Sequence, residues 1–172
     1  MPKTPLHYLH RGVTDSPIGK LVIHANKKAV VSLQRLVDEP RFSFSLEKGT
    51  TQEHAKAKEL FLKTKEKLGR YFAGNVSALN AIPIEVQGTE FQKRVWSGLR
   101  AIRVGSTKSY SALAKLAKSP NASRAAGSAC AKNQLLLLVP CHRALGVGST
   151  VGKFSAGTEN KRFLLEHEGA LR

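Results

Sequence analysis

The hydrophobic period of this 172-residue chain changes along its length, and that change restricts it to a mixed α/β architecture. In the first third, residues 19–25 and 29–33 are short apolar runs on either side of Asn26-Lys27-Lys28, the pattern of two strands and a turn. Between 53 and 72 the period lengthens. Leu60, Leu62, Leu68, Tyr71 and Phe72 recur among Lys, Arg and Glu, as on an amphipathic helix that stops before Gly74. Gly74, Asn75, Asn80, Pro83 and Gly88 then mark a connection. We place a domain boundary there, with a small α/β domain over 1–82 carrying a short antiparallel sheet, and a C-terminal domain over 83–172.

The second half is mainly helical. Thr89-Glu90-Phe91-Gln92 has the form of a capping box, and Phe91, Val95, Leu99 and Ile102 follow on one helical face. A second helix is expected over 109–117. A third is expected over 121–131, with Ser119 as N-cap and Pro120 at the first helical position. Helix, tight turn and helix form either a DNA-binding helix-turn-helix or two packed core helices. The third helix carries almost only Ala, Ser and Gly, with Arg124 as its one large polar side chain. That surface suits close approach to a narrow groove without sequence reading, or else close helix–helix packing.

Charge proposes a nucleic-acid partner, a basic proteome or a solubility preference being the alternative. The chain has a formal net charge of +16. Residues 1–86 hold 14 Lys/Arg and 8 Asp/Glu, a net of +6, and residues 87–172 hold 14 and 4, a net of +10. Across 91–155 there are 11 Lys/Arg and no carboxylate, whereas solvated surfaces ordinarily mix both signs. Such a field concentrates a polyanion, DNA or RNA being the usual one. No apolar run approaches the ~20 residues of a membrane span, so no membrane partner is expected. The opening residues lack the apolar core of a secretion signal, and two cysteines cannot build a secreted disulfide framework. A reducing cytosol is therefore expected, or the nucleus in a eukaryote.

Residues 135–139 are a buried-strand candidate ended by Pro140, and Pro140-Cys141-His142-Arg143 follows in a turn. A thiol attacks as thiolate, and an adjacent imidazole or cation lowers its pKa. That setting favours Cys141 as a nucleophile over a structural cysteine. Cys130 falls inside the third helix as a small packed residue, and a Cys130–Cys141 disulfide would quench the nucleophile. Two cysteines 11 apart lack paired-ligand zinc spacing, and His7, His10 and His24 read as surface residues, so no metal is expected.

Five blocks stand together in order and spacing: Thr89-Glu90-Phe91-Gln92-Lys93-Arg94-Val95-Trp96, Ser109-Tyr110, Arg124-Ala125-Ala126-Gly127 with Asn133, Val139-Pro140-Cys141-His142-Arg143, and Lys161-Arg162-Phe163-Leu164-Leu165-Glu166-His167-Glu168-Gly169. In these the chain resembles the O6-alkylguanine-DNA alkyltransferases, the methylated-DNA–protein-cysteine methyltransferases. The likeness is close over residues 72–170, and Ser16-Pro17-Ile18-Gly19-Lys20-Leu21 resembles the family's N-terminal strand.

The resemblance implies direct reversal of O6-alkylguanine, with O4-alkylthymine as a further candidate, by one irreversible transfer onto Cys141 and without a cofactor. It implies that His142 acts through a water as base, that Glu168 orients His142, and that Asn133 braces the turn. Tyr110 would assist nucleotide rotation and protonate the leaving guanine. Arg124 would fill the gap left by a base flipped out through the minor groove of double-stranded DNA, with Ala125, Gly127 and Ser119 on the same surface. Val151, Gly152, Phe154 and Ser155 would line the substrate pocket. A monomer is expected. Arg103, Gln134, Ala144, Lys153-Phe154 and Ala156 depart from the family's usual residues, which bears on pocket size and the range of alkyl groups. The rival from another class is a non-reacting protein that binds alkylated DNA and flags it, but such proteins lack the cysteine. A Cys–His hydrolase would need an oxyanion hole and no carboxylate-free segment.

Overall fold

A computed structural model describes residues 5–41, 43–146, 148, 151 and 154–171. The chain forms two compact units, residues 1–87 with 134–138, and residues 88–133 with 139–172.

In the first unit, β1 (Leu6–Tyr8) pairs in parallel with β5 (Phe44–Leu46). Strands β2 (His10–Thr14), β3 (Leu21–Ala25) and β4 (Val30–Arg35) form an antiparallel sheet in the order β2-β3-β4, with Gly12 opposite Ile23 and Ile23 opposite Leu33. Every residue of β3 is buried, so this strand is covered on both faces and lacks the alternation of a half-exposed strand. The β3–β4 turn is held by Asn26, whose Oδ1 accepts from the backbone N–H groups of Lys28 and Ala29 at 2.8 Å each. Residues 16–19, expected to lead into a strand, instead form the β2–β3 turn. Ser16 Oγ donates to Gly19 O at 2.6 Å and Gly19 adopts φ 104°, which glycine tolerates.

Helix α1 spans Thr51–Phe72, beginning two residues earlier than its apolar period indicates, because Thr50 and Glu53 form a capping box. It lies on the sheet at Gly12, where a Cβ would run into the Phe61 ring, so only glycine admits the helix this closely. His24, expected at the surface, is only 1% exposed, since the covered strand β3 carries it inward.

The apolar run 135–139 is buried throughout, as expected, but it is not a strand. Leu135 makes one isolated parallel bridge to Leu33, with Leu33 N–H donating to Gln134 O at 2.9 Å and Leu136 N–H donating to Leu33 O at 2.8 Å. Leu137 at φ 69° then turns the chain away, and a strand cannot continue through that conformation.

In the second unit, α2 (Glu90–Arg100) starts at the expected Thr89–Gln92 capping box. It is followed by β6 (Lys108–Ser109), α3 (Tyr110–Leu116), α4 (Ser123–Ala131), β7 (Ala144–Leu145), parallel to β6, and α5 (Thr158–His167). Ser109 caps α3 by accepting from Ala112 N–H at 3.2 Å. Ser119 does not cap α4. Its N–H closes α3 onto Ala114 O at 2.9 Å, its carbonyl accepts from Ala122 N–H at 3.0 Å in an intervening turn, and α4 begins at Ser123 behind an Ala122 N-cap with no side-chain bond. Among the described residues, no helix is long and apolar enough to cross a membrane.

Candidate active site and nucleic-acid interface

Cys141 begins a one-turn 3-10 segment, Cys141–Arg143, and all three of its residues are buried. The turn is set by backbone bonds from Cys141 N–H to Val139 O at 2.8 Å and from Arg143 N–H to Pro140 O at 3.0 Å. Asn133 braces it from the end of α4, its Nδ2 donating to Val139 O at 2.8 Å and to Cys141 Sγ at 3.1 Å.

His142 is fully buried, and its Nε2 lies 3.0 Å from Glu168 Oε1. Arg143 clamps the same carboxylate, donating from Nε to Oε2 at 2.7 Å and from Nη2 to Oε1 at 2.9 Å, while its Nη1 donates to Ile102 O at 2.7 Å. Glu168 is the C-cap of α5, which Gly169 stops at φ 74°. The backbone of Gly105 passes so close that an added Cβ would lie 3.2 Å from Glu168 O. Burial raises the Glu168 carboxyl, but the bonds from His142 and Arg143 outweigh it and leave the pKa at about 2. Burial lowers the pKa of His142 against the opposing pull of Glu168, so the imidazole rests neutral. With Nε2–H donated to the carboxylate, Nδ1 is left as acceptor, and it has no hydrogen-bond partner among the described residues.

The electrostatics of the thiol differ from the sequence expectation. Burial pushes the Cys141 pKa up, and the opposing pull comes from the Asn133 hydrogen bond, then Lys161 and the backbone N–H groups of Cys141 and His142, while Arg143 is bonded to Glu168. Lys161 is a buried cation at the candidate site to which the sequence reading gave no role. It sits in a Lys-Arg pair that reads as helix surface, yet it is 0% exposed. Its Nζ donates to Ala144 O at 2.6 Å and stands 6.0 Å from the Phe154 ring centroid, and among the described residues it pairs with no carboxylate. Burial lowers its pKa, while Cys141 and Cys130 act to raise it. Cys130 is a free, buried thiol pushed up to about 12, chiefly by burial.

A cleft of about 520 Å³ opens at the α3–α4 pair. It is lined by Tyr110, Arg124, Gly127, Ser128, Leu145 and Gly146, among others. Gly127 faces the Tyr110 ring, the nearest ring atom 3.9 Å from where its Cβ would be. Burial raises the Tyr110 pKa, and Cys130 and Cys141 raise it further. The small residues of α4 serve two faces. Ala126, Ala129 and Cys130 pack inward, with Ala129 O accepting from Trp96 Nε1 at 3.0 Å, while Arg124 and Ala125 are exposed. The structure thus brings Tyr110, Arg124 and Gly127 to one cleft, and around the Cys141–Arg143 turn it forms two hydrogen-bonded pairs, Cys141 with Asn133 and His142 with Glu168. Ser119 and Ala125 do not line the cleft. Val151, Phe154 and Ser155 are half-buried, Phe154 beside Lys161, and Gly152 lies outside the described residues.

Fold and site define a class: a two-unit α/β chain with a buried Pro-Cys-His-Arg thiol and, in the same unit, the adjoining helices α3 and α4. Family models described as the 6-O-methylguanine DNA methyltransferase ribonuclease-like domain and DNA binding domain match residues 9–86 and 90–170, so the chain belongs to that family. It is similar to the methylated-DNA–protein-cysteine methyltransferase of Shigella flexneri, 42% identical over 106 residues, which is 62% of each chain. The match therefore spans less than two thirds of that relative. Its counterpart in Mycolicibacterium paratuberculosis is 35% identical over 90% of this chain and 88% of that one. The crystal structure of Mycobacterium tuberculosis OGT in complex with DNA superposes with a TM-score of 0.76 at 32% identity, covering 95% of this chain and 93% of that one.

Proposed function

We propose that this protein repairs alkylated DNA directly, moving the alkyl group from O6 of guanine to Sγ of Cys141. The observation that carries the reading is that one buried turn, Cys141–Arg143, places a thiol held by Asn133 next to an imidazole held by Glu168 and Arg143. Glu168 holds His142 with Nδ1 as acceptor, and that nitrogen takes the thiol proton through a water. Sγ then attacks the alkyl carbon, the carbon–oxygen bond breaks, and the electron pair leaves with guanine, which Tyr110 protonates. Because burial favours the neutral thiol at rest, the thiolate forms when the proton is removed in place. The thioether product is not hydrolysed, so each molecule acts once and needs no cofactor.

The target base cannot be reached inside the stack and is flipped out. Arg124 enters through the minor groove and fills the vacated space. The surrounding cations hold phosphates, so binding is nearly independent of sequence. The pocket is closed by Val151, Phe154 and Ser155. The protein acts as a monomer, in the cytosol or, in a eukaryote, the nucleus.

Single-turnover kinetics on O6-methylguanine test these roles. Cys141→Ala abolishes transfer and keeps DNA binding. Arg124→Ala slows repair in a duplex far more than reaction with the free base, which has no stack to leave. Equal slowing of both substrates would make Arg124 structural. Tight lesion binding without any transfer by the wild type would instead indicate a protein that only flags the damage.

A further inference from the structure

Three helices of this chain close by the same pair of backbone bonds, and one of them uses the wrong residue for the turn. At the end of α1, Gly74 N–H donates to Tyr71 O at 3.0 Å and Asn75 N–H donates to Arg70 O at 2.9 Å. At the end of α5, Gly169 N–H donates to Glu166 O at 2.9 Å and Ala170 N–H donates to Leu165 O at 2.8 Å. Both turns place glycine in the left-handed region, at φ 103° and 74°. At the end of α3, Lys118 N–H donates to Lys115 O at 3.0 Å and Ser119 N–H donates to Ala114 O at 2.9 Å. Here the left-handed position, at φ 57°, is held by a lysine. A side chain with a Cβ is strained in that conformation, and glycine would close the helix without the strain.

The lysine is not needed by the helix it ends. Lys115 already places a cation in the last turn of α3, and Arg94 Nε donates to the Ala117 carbonyl at 2.9 Å. Lys118 itself is exposed, and its side chain makes no ion pair among the described residues. It lies within the stretch of sequence that contains no carboxylate, between Lys115 and Arg124. Strain retained at an exposed, unneutralised cation in the turn between two helices fits a site whose partner anion comes from outside.

We propose that Lys118 binds a backbone phosphate of duplex DNA from the α3–α4 turn, the strained backbone aiming a cation there at the expense of helix-end stability. This inference rests on the DNA-binding reading above. The test is a salt series of dissociation constants on an undamaged duplex for wild type, Lys118→Gly and Lys118→Arg, with a melting temperature for each. Lys118→Gly should fold with an equal or higher melting temperature and bind more weakly. Its log–log salt slope should be smaller by about 0.9, so that between 50 and 200 mM salt the wild type loses about 3.5-fold more affinity than the variant. Lys118→Arg should keep the wild-type slope, and all three proteins should react alike with free O6-methylguanine. A Lys118→Gly variant that melts lower and keeps the wild-type slope would show a helix-end cation and overturn the proposal. An unchanged slope at any stability would do the same. A wild type that does not bind duplex at all would overturn the DNA-binding reading and this inference with it.

Discussion

The two units of this protein contain nearly the same His–Glu–Arg cluster, buried in one and partly exposed in the other, and only one of them has a thiol in reach. In the first unit, His24 Nε2 lies 3.2 Å from Glu39 Oε1, and Arg11 grips that carboxylate through Nε at 2.8 Å and Nη2 at 2.6 Å. In the second, His142, Glu168 and Arg143 repeat the arrangement. In both, the imidazole is lowered by burial and its Nδ1 has no hydrogen-bond partner among the described residues. What differs is the surroundings. His24 stacks on Phe44 at 4.0 Å and meets the edge of Tyr8 at 4.7 Å, whereas His142 follows Cys141 in a turn braced by Asn133. The carboxylates differ too, since the Glu39 side chain is 19% exposed and that of Glu168 is 0%. A His–Glu–Arg cluster is therefore not itself a site. The same parts tie strands together in one unit and, in the proposed reaction, serve proton transfer in the other, according to what the free imidazole nitrogen can reach.

The comparison is broken most sharply by neutralising each carboxylate in turn. Glu168→Gln should slow transfer by roughly 10²–10⁴-fold, the usual contribution of acid–base groups, in single-turnover assays on duplex and free base alike. Glu39→Gln should lower the melting temperature and leave the transfer rate unchanged. A matching loss of rate in Glu39→Gln would remove the distinction between the clusters.

A smaller effect is expected at Lys161, which has no counterpart in the first cluster. Replacing this buried cation by methionine should raise the thiol pKa, and a rise of about one in that pKa leaves roughly tenfold less thiolate at neutral pH. Rates of Cys141 alkylation by iodoacetamide across pH measure it, and the profile should move to higher pH and recover there. A uniform loss at every pH would indicate packing alone.

The smallest effect concerns acid stability. Burial holds His24 down at about 4 from 6.5, so the unfolded chain takes up the proton first. Stability should fall as pH drops from 6.5 toward 4, by at most about 3 kcal/mol. Glu168, depressed from 4.5 to about 2, should cost further stability as pH drops through that lower range. Chemical denaturation from pH 7 to 3 should give a flatter curve for His24→Phe between 6.5 and 4 than for the wild type. Identical curves would mean His24 is not the titrating group.

The sequence made the site more legible than the fold around it. Thr89 and Gln92 announced the start of α2, and Pro140-Cys141-His142-Arg143 announced a turn at Cys141, because these features act over four residues. Leu135–Leu138 misled because burial in a bridged turn leaves the same apolar run as a strand, and Leu137 gives no hint of its φ of 69°. Ser119 misled because a Ser-Pro pair suits a helix start, while the closing bonds of α3 had already claimed its backbone. His24 and Lys161 were hidden for one reason. Whether a polar side chain is exposed depends on what covers its element, and no local pattern records that.

The most direct test of the account is peptide-level mass spectrometry of the wild-type protein after incubation with an O6-methylguanine duplex. The account predicts one added methyl group on the peptide containing Cys141, with the peptide containing Cys130 unmodified. A methyl group on Cys130, or none on either cysteine despite loss of the lesion, would contradict it.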